Sequence, residues 1–410
     1  MRALFRSFLG RLIRMMVYFM EFIAVYGVRK IKKPSICPKT LLLMKLDTIG
    51  DYVLFRNFLQ PLRKAYADYE ITFLCNVDFL EIVHACDRSY VDHIIPLNTR
   101  KWSSWKYFSL FYRLKILYIL NQQGYEIVLN PVFHRYSQRD DYLVRFINAQ
   151  YKIGSRGFEL VNQWTNKVSL EPHDRAYTTL LDATFEVLFE FERNREFFSQ
   201  LLQHPLTEVK YHLSLPPLPT NSSLSLSDKN YGVFFLGASD QKRKWSPDSW
   251  IELARKISPQ FQIVLCGSKG EVSDATQIMT EIPQALNLVG KTTFVELLHV
   301  LSKACFIVSN ETAIPHFCVA LGLGPIFVIS NGNTFGRFVP YPEYMGANHH
   351  VIYHPKIEAL LQTPHGFGRC LEIGKHGLPN LQIPHPQFSQ MVIDKIAETN
   401  SEFIRDEILN

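Results

Sequence analysis

From residue 40 the chain alternates between short, continuous apolar runs and longer stretches with helical spacing of apolar positions. Runs at 40–46, 70–76, 93–98 and 126–131 predict strands, and stretches near 52–67, 78–86 and 104–123 predict helices. Apolar runs without polar alternation are what strands buried on both faces require, so the unit reads as a parallel α/β sheet. A mixed, mainly helical stretch follows to about 205, containing Gly154 and the acidic–aromatic run 182–198. The Pro- and Ser-rich segment 216–223 then predicts a linker. After it the alternation restarts, with strands at 231–236, 262–266, 286–289, 305–309 and 325–330. Helices are expected at 247–257, 271–280, 293–303 and 312–321. Beyond 345 Pro, Gly and His predict irregular chain until a last helix near 387–407.

The first 33 residues change the picture. They carry Arg2, Arg6, Arg11, Arg14, Arg29, Lys30, Lys32 and Lys33 against Glu21, a net of +7 in a chain of formal charge +6. The remainder is therefore close to neutral, which argues against a nucleic-acid-binding body. At about 100° per residue, Arg2, Arg6, Arg11 and Arg14 share one half of a helix, with Leu4, Phe5, Phe8, Leu9, Leu12, Met15 and Met16 on the other. The apolar stretch 17–28 is interrupted by Glu21 and falls short of the ~20 residues a spanning helix needs. No convincing signal-peptide cleavage site follows. The segment reads as an interfacial helix on an anionic cytoplasmic membrane surface, with an ordinary helix packed on the domain as the plain alternative.

With 410 residues, 47% hydrophobic and 20% charged, the chain has material for two globular cores. The expected architecture is α/β, with two Rossmann-like, doubly wound parallel-sheet domains facing a central cleft and an amphipathic helix at the N-terminus. The divisions are a basic membrane-associating segment (1–36), a first domain (37–215), a linker (216–230), a second domain (231–385) and a C-terminal helix (386–410). Seven scattered cysteines without a Cys-x-x-Cys pair read as buried thiols of a reducing compartment.

Two strand–helix junctions hold the candidate chemistry. Asp47-Thr48-Ile49-Gly50-Asp51 follows the first strand, placing a carboxylate beside a glycine that allows close approach to the backbone. Ser309-Asn310-Glu311-Thr312-Ala313-Ile314-Pro315-His316 follows a strand of the second unit, and a helix starting near Thr312 offers free N–H groups to an anion. Between them lies Gly237-Ala238-Ser239, followed by the basic run Lys242-Arg243-Lys244-Trp245.

Together these three motifs resemble glycosyltransferase family 9, the ADP-heptose–lipopolysaccharide heptosyltransferases, over about residues 40–340. The resemblance implies a GT-B fold with an acceptor-binding first domain and a donor-binding second one. It implies inverting transfer of a heptose or similar sugar from a nucleotide diphosphate, such as ADP-heptose, to a hydroxyl of a lipid-linked glycan. Asp51 matches the family's catalytic carboxylate and becomes the candidate base, its bland role being a helix N-cap. Asp47 is expected to cap or orient the loop. Gly50, Ser239, Arg243, Lys244, Glu311, Thr312, Ala313 and His316 become donor-binding candidates, with the phosphate cation open between Arg243 and Lys244. The family's usual Asp-Thr-Gly is Glu311-Thr312-Ala313 here, which implies altered donor placement. Glu271 follows another strand where the family puts a ribose carboxylate, and would equally serve as a first-turn acid. Lys291 belongs to a loop resembling the nucleobase lining. Arg337, in a Gly/aromatic/Arg loop, is a candidate for the sugar or diphosphate, against a surface salt bridge.

No cofactor or metal is called for. Asp140-Asp141 is not an Asp-x-Asp, and His349, His350 and His354 sit in an expected loop without matching ligands. Trp102, Trp105, Tyr107, Phe108, Phe111 and Tyr112 form an aromatic-rich helix, by default a packing surface and otherwise a sugar- or lipid-facing platform. Two other readings of the fold stay open: a sugar-nucleotide epimerase or hydrolase, and a non-catalytic membrane scaffold.

Overall fold

The computed structural model describes residues 34–376, except 104–107, 158, 162–165, 169–170, 221, 223, 225–229 and 258–259, together with 393, 394 and 396. The basic N-terminal segment, nearly all of the expected last helix, and Trp105 and Tyr107 lie outside the described residues.

The first half is built on β1 (Ile36–Lys45), β2 (Glu70–Asn76), β3 (His93–Leu97), β4 (Gly124–Asn130) and β5 (Ala149–Ser155). A small antiparallel hairpin, β6 (Glu159–Val161) and β7 (Asn166–Val168), precedes β8 (Thr179–Leu181). Six strands form a parallel sheet in the order β3-β2-β1-β4-β5-β8. Side chains of β1 alternate between two apolar layers, as a central parallel strand must. Leu41 and Leu43 join Tyr52, Phe55 and Phe73 on one side, while Leu42, Met44 and Leu46 join Trp102, Leu117 and Leu120 on the other.

In the second half, β9 (Tyr231–Phe235), β10 (Gln262–Cys266), β11 (Leu286–Asn287), β12 (Phe306–Asn310), β13 (Ile326–Ser330) and β14 (His349–Tyr353) pair in the order β11-β10-β9-β12-β13-β14. The helices Pro247–Ile257, Val272–Glu281, Phe294–Ser302 and Ala313–Ala320 connect them.

At the sheet margins the structure departs from the expected elements. β5 and β8 lie in the stretch expected to be mainly helical, and β14 with the helices Pro355–Leu361 and Gly366–His376 replaces the expected irregular tail. These marginal strands are only partly buried, so they lack the continuous apolar run that marks a central strand. His349 and His350 therefore sit on a strand, and His354 caps the next helix by accepting from Lys356 N at 3.2 Å. The helix expected over 52–67 is broken into Ile49–Val53, Arg56–Phe58 and Leu59–Ala65.

The helix Glu190–Leu202 lies over the first sheet, with Phe191 and Phe198 packing on Phe58 and Phe198 also on Phe55. A single apolar cluster runs from these rings through Leu206 and Leu213 to Ile307, Ile314 and Phe317 of the second half. Polar links cross the same boundary: Tyr211 Oη donates to His316 O at 2.7 Å, Leu213 N to Ala320 O at 2.7 Å, and Phe294 N to Glu81 Oε1 at 2.8 Å.

Candidate active site

The loops after β1, β9, β10, β12 and β13 all leave the carboxyl ends of parallel strands, where ligands of doubly wound sheets bind. The β1 and β12 junctions meet directly. A Cβ added to Gly50 would lie 3.1 Å from His316 Cδ2 and 3.9 Å from Ala313 Cα. The bare backbone at Gly50 thus lets the two halves touch, and the close approach it serves in this structure is that of His316.

Asp51 is 5% exposed at the third position of the helix Ile49–Val53. Its Oδ2 accepts from Thr48 Oγ1 at 2.6 Å and Thr48 N at 3.2 Å, closing a reciprocal cap. Its Oδ1 accepts from Arg337 Nη2 at 2.9 Å. Burial opposes the ionised form, but Arg337, Lys45 and the Thr48 bonds outweigh it and hold the carboxyl below its ordinary value. Arg337 reaches across from the loop after β13. Its Nε also donates to Glu190 Oε2 at 3.0 Å, its carbonyl accepts from Glu190 N at 2.9 Å, and its guanidinium lies over Phe338. It bridges two carboxylates of the first half and is no mere surface ion pair.

Of the two roles expected for Asp47, capping the loop or orienting it, the first falls to Thr48 and Asp51. The Asp47 Oδ2 lies 2.9 Å from the Nζ of Lys45, a lysine with a side chain only 1% exposed. Burial, reinforced by Asp51 and Glu190 and opposed by Lys45, pushes Asp47 up to about 7.

Across the cleft, Thr312 caps the helix Ala313–Ala320 by accepting from Ile314 N at 3.3 Å. His316 is buried, its Nδ1 2.6 Å from Tyr341 Oη, and burial lowers it to about 4, so the imidazole is neutral at physiological pH. Glu311 is buried and accepts from the hydroxyls of Ser330 and Thr334. Arg243 Nη2 donates to Ser239 Oγ at 2.5 Å and Nη1 reaches Glu311 O at 3.4 Å. Lys244 turns elsewhere, to Asp274 at 2.7 Å and Glu271 at 3.5 Å. Glu271 forms a capping box with Ser268, accepting at 2.9 Å from its N and 2.7 Å from its Oγ. Lys291 donates to Asn287 O at 2.9 Å. Among the described residues no group of three or more His, Cys, Asp or Glu side chains is placed to hold a metal.

The sequence-level model of glycosyltransferase family 9 (heptosyltransferase) matches residues 113–328, more than half of the chain. The chain belongs to that family. The matched region holds the β12 junction but begins after Asp51. Among curated proteins none matches the sequence.

Solved structures extend the likeness to the whole fold. The E. coli heptosyltransferase WaaC with ADP aligns with a TM-score of 0.60 at 18% identity, covering 88% of this chain and 99% of that one. WaaC with ADP-2-deoxy-2-fluoro heptose gives 0.58 at 21%, covering 77% and 93%. A family 9 glycosyl transferase from Veillonella parvula gives 0.56 at 16%, covering 80% and 89%. At these identities the likeness establishes the GT-B fold of two Rossmann-like domains. This family 9 member is thus an enzyme of the glycosyltransferase class.

Three residues of the site escaped sequence reasoning: Lys45, Glu190 and Tyr341. For Lys45 a signal existed. A lysine inside an apolar parallel strand needs a counter-charge, and Asp47, two positions on, shares its face.

Proposed function

We propose that this family 9 enzyme is an inverting glycosyltransferase that moves a heptose or related sugar from a nucleotide diphosphate, ADP-heptose or similar, to a hydroxyl of a lipid-linked glycan such as lipopolysaccharide. The observation that carries the reading is the meeting of Asp51, at the β1 junction, with Arg337 from the loop after β13, beside the Thr312 helix start and His316 of the β12 junction and Arg243 from the loop after β9.

The acceptor hydroxyl binds on the first half, against Asp51. A carboxylate accepts about four hydrogen bonds, and among the described residues Asp51 has three donors, which leaves one position on Oδ1 for that hydroxyl. As the hydroxyl oxygen attacks the anomeric carbon, its proton passes to Asp51. The bond from that carbon to the diphosphate breaks, and the diphosphate leaves with the electron pair, inverting the configuration. Charge on the leaving group is met by Arg243 and the N–H groups at Thr312 and Ala313. His316, neutral, supplies a hydrogen bond rather than a charge. No residue in this scheme requires a metal.

The N-terminal segment is proposed to hold the enzyme peripherally on the cytoplasmic face of a bacterial inner membrane. Among the described residues no helix is long and apolar enough to cross a membrane. Deleting residues 1–33 is expected to abolish binding to anionic vesicles and to leave transfer in solution intact.

The central test has two parts. Melting temperature is measured against ADP, GDP, UDP and CDP, since a ligand at ~100-fold over its Kd adds about 2.7 kcal/mol. Transfer by Asp51→Asn is then assayed with the donor of the nucleotide that shifts it. A selective shift together with loss of transfer in a variant that still binds nucleotide supports the reading. Near-normal turnover by Asp51→Asn would sink it.

A further inference from the structure

The cluster around Asp51 carries one negative charge more than its cations balance. Asp51 and Glu190 are buried and the Asp47 side chain is 12% exposed, and among the described residues these three carboxylates face Lys45 and Arg337. The other cations nearby are engaged elsewhere: Arg139 pairs with Asp140 at 2.7 Å, and Arg193 with Glu196 at 2.9 Å and with the carbonyls of Thr184 and Glu186. Three carboxylates sharing two cations out of water do not all stay ionised, because each raises the proton affinity of its neighbours.

The hydrogen bonds decide which one gives way. Asp51 has three donors and Glu190 has the Nε of Arg337. Among the described residues Asp47 has only its ion pair with Lys45, 2.9 Å from Oδ2, and its Oδ1 is buried with no hydrogen-bond partner. The β2 side chain nearest this junction, Asn76, donates to the backbone carbonyl of Asp47 at 2.9 Å and leaves the carboxylate unassisted. The groups facing Asp47 are therefore Lys45 from β1, Asp51 from the next helix, Glu190 from the helix over the sheet, Arg139 from the turn after β4, and Arg337 from the second half.

We infer that Asp47 is a positioning residue for the transfer reaction, whose ionisation supplies the negative charge that makes Asp51 basic enough to take the acceptor's proton. It touches neither sugar. With Asp47 ionised, its field favours a proton on Asp51 and offsets Arg337 and Lys45. Once Asp47 is protonated, Asp51 is left to two cations and becomes a poor base. The inference rests on Asp51 being the base, as proposed above.

Asp47 sits at about 7, so it is ionised above that pH and neutral below, and activity rises with pH through this range.

The test is the pH dependence of ADP release from ADP-heptose with membrane extract as acceptor, together with carbon NMR titration of Asp labelled at the carboxyl carbon. In the wild type, one carboxyl titrates near pH 7 and the Asp51 signal, assigned by its loss in Asp51→Asn, shows a second inflection at the same pH. Asp47→Asn loses both features, and its rate stays flat from pH 6 to 8.5 at roughly the acid plateau of the wild type, ~10-fold below the alkaline one. Lys45→Met removes the cation and moves the inflection above pH 7. A wild-type protein with no carboxyl titrating between pH 6 and 8 overturns the inference, as does an Asp47→Asn enzyme that keeps the wild-type rate profile. Should Asp47→Asn misfold, the wild-type and Lys45→Met titrations still decide. An active Asp51→Asn enzyme defeats the functional reading itself, whereas an inactive one with an unmoved Asp47 profile defeats this inference alone.

Discussion

Arg337 Nη2 stands 2.9 Å from Asp51 Oδ1, although the two residues are 286 positions apart and belong to different halves of the molecule. The pair fixes the candidate base and fastens the second half to the first. Arg337→Gln removes both effects. Breaking a buried ion pair costs about 3–5 kcal/mol, and the loss here should fall at or below the lower end because the Arg337 side chain is 24% exposed. The contribution has a pH signature. Asp51 is held low in the fold, so the pair's stability is full above the unfolded value near 4 and is lost as pH falls through the folded one. Denaturant melts should show a wild-type advantage over Arg337→Gln at pH 5–7 that shrinks below about pH 4.

His316 should give a second, separable signature. Burial lowers it to about 4, against about 6.5 in an unfolded chain. Between those values the unfolded chain binds a proton that the folded one refuses, so stability is lost as pH falls from 6.5 towards 4. The slope is at most about 1.4 kcal/mol per pH unit. In His316→Gln this slope disappears, and melts at pH 4.5, 5.5 and 6.5 would reveal it.

Gly50→Ala tests the contact between the halves. The new Cβ would lie 3.1 Å from His316 Cδ2, closer than side chains normally pack, so His316 must shift by a few tenths of an ångström. The glycine has no unusual backbone angle here, so the variant should fold. We expect kcat/KM to fall about 10-fold or more, as misplacement of reacting groups does, with less than 1 kcal/mol of stability change. Steady-state kinetics beside a thermal melt distinguishes this from unfolding.

Arg243 and Lys244 were equivalent candidates in the sequence, and their contacts now differ. Arg243 hangs over the β12 junction, bonded to Ser239 and Glu311 O, whereas Lys244 is tied to Asp274 and Glu271. Arg243→Ala is expected to weaken ADP affinity by at least ~10-fold, in line with loss of a charge-assisted hydrogen bond of about 1.5–3 kcal/mol. Lys244→Ala should change affinity less than threefold. Calorimetric titration with ADP measures both, and equal losses would contradict the assignment.

The legible parts of this molecule were those where one stretch of chain declares its own environment. β1, β2, β10, β12 and β13 announced themselves because strands covered on both faces cannot afford polar alternation. β5, β8 and β14 were missed because a partly covered strand tolerates residues such as Gln150, Lys152 and His349. The same distinction governed the site. Asp51, Thr312 and Arg243 could be picked out from their local motifs. The grip of Arg337 on Asp51 and Glu190 is created by folding alone, since nothing local to residue 337 refers to residues 51 and 190.

The apolar cluster that begins at Leu41 and continues without interruption to Ile357 and Cys370 ignores the Pro-rich linker altogether. Its rings include Phe191 and Phe198, which come before the linker, and its far side is built from the second half. The sequence's most obvious seam is therefore a poor place to splice. A chimaera joining the second half of another family 9 enzyme at residue 216 would inherit mismatched surfaces on both sides. Recombining the halves of such enzymes would demand that the Glu190–Leu202 helix and the chain through Leu213 travel with the second half, whose surface they cover.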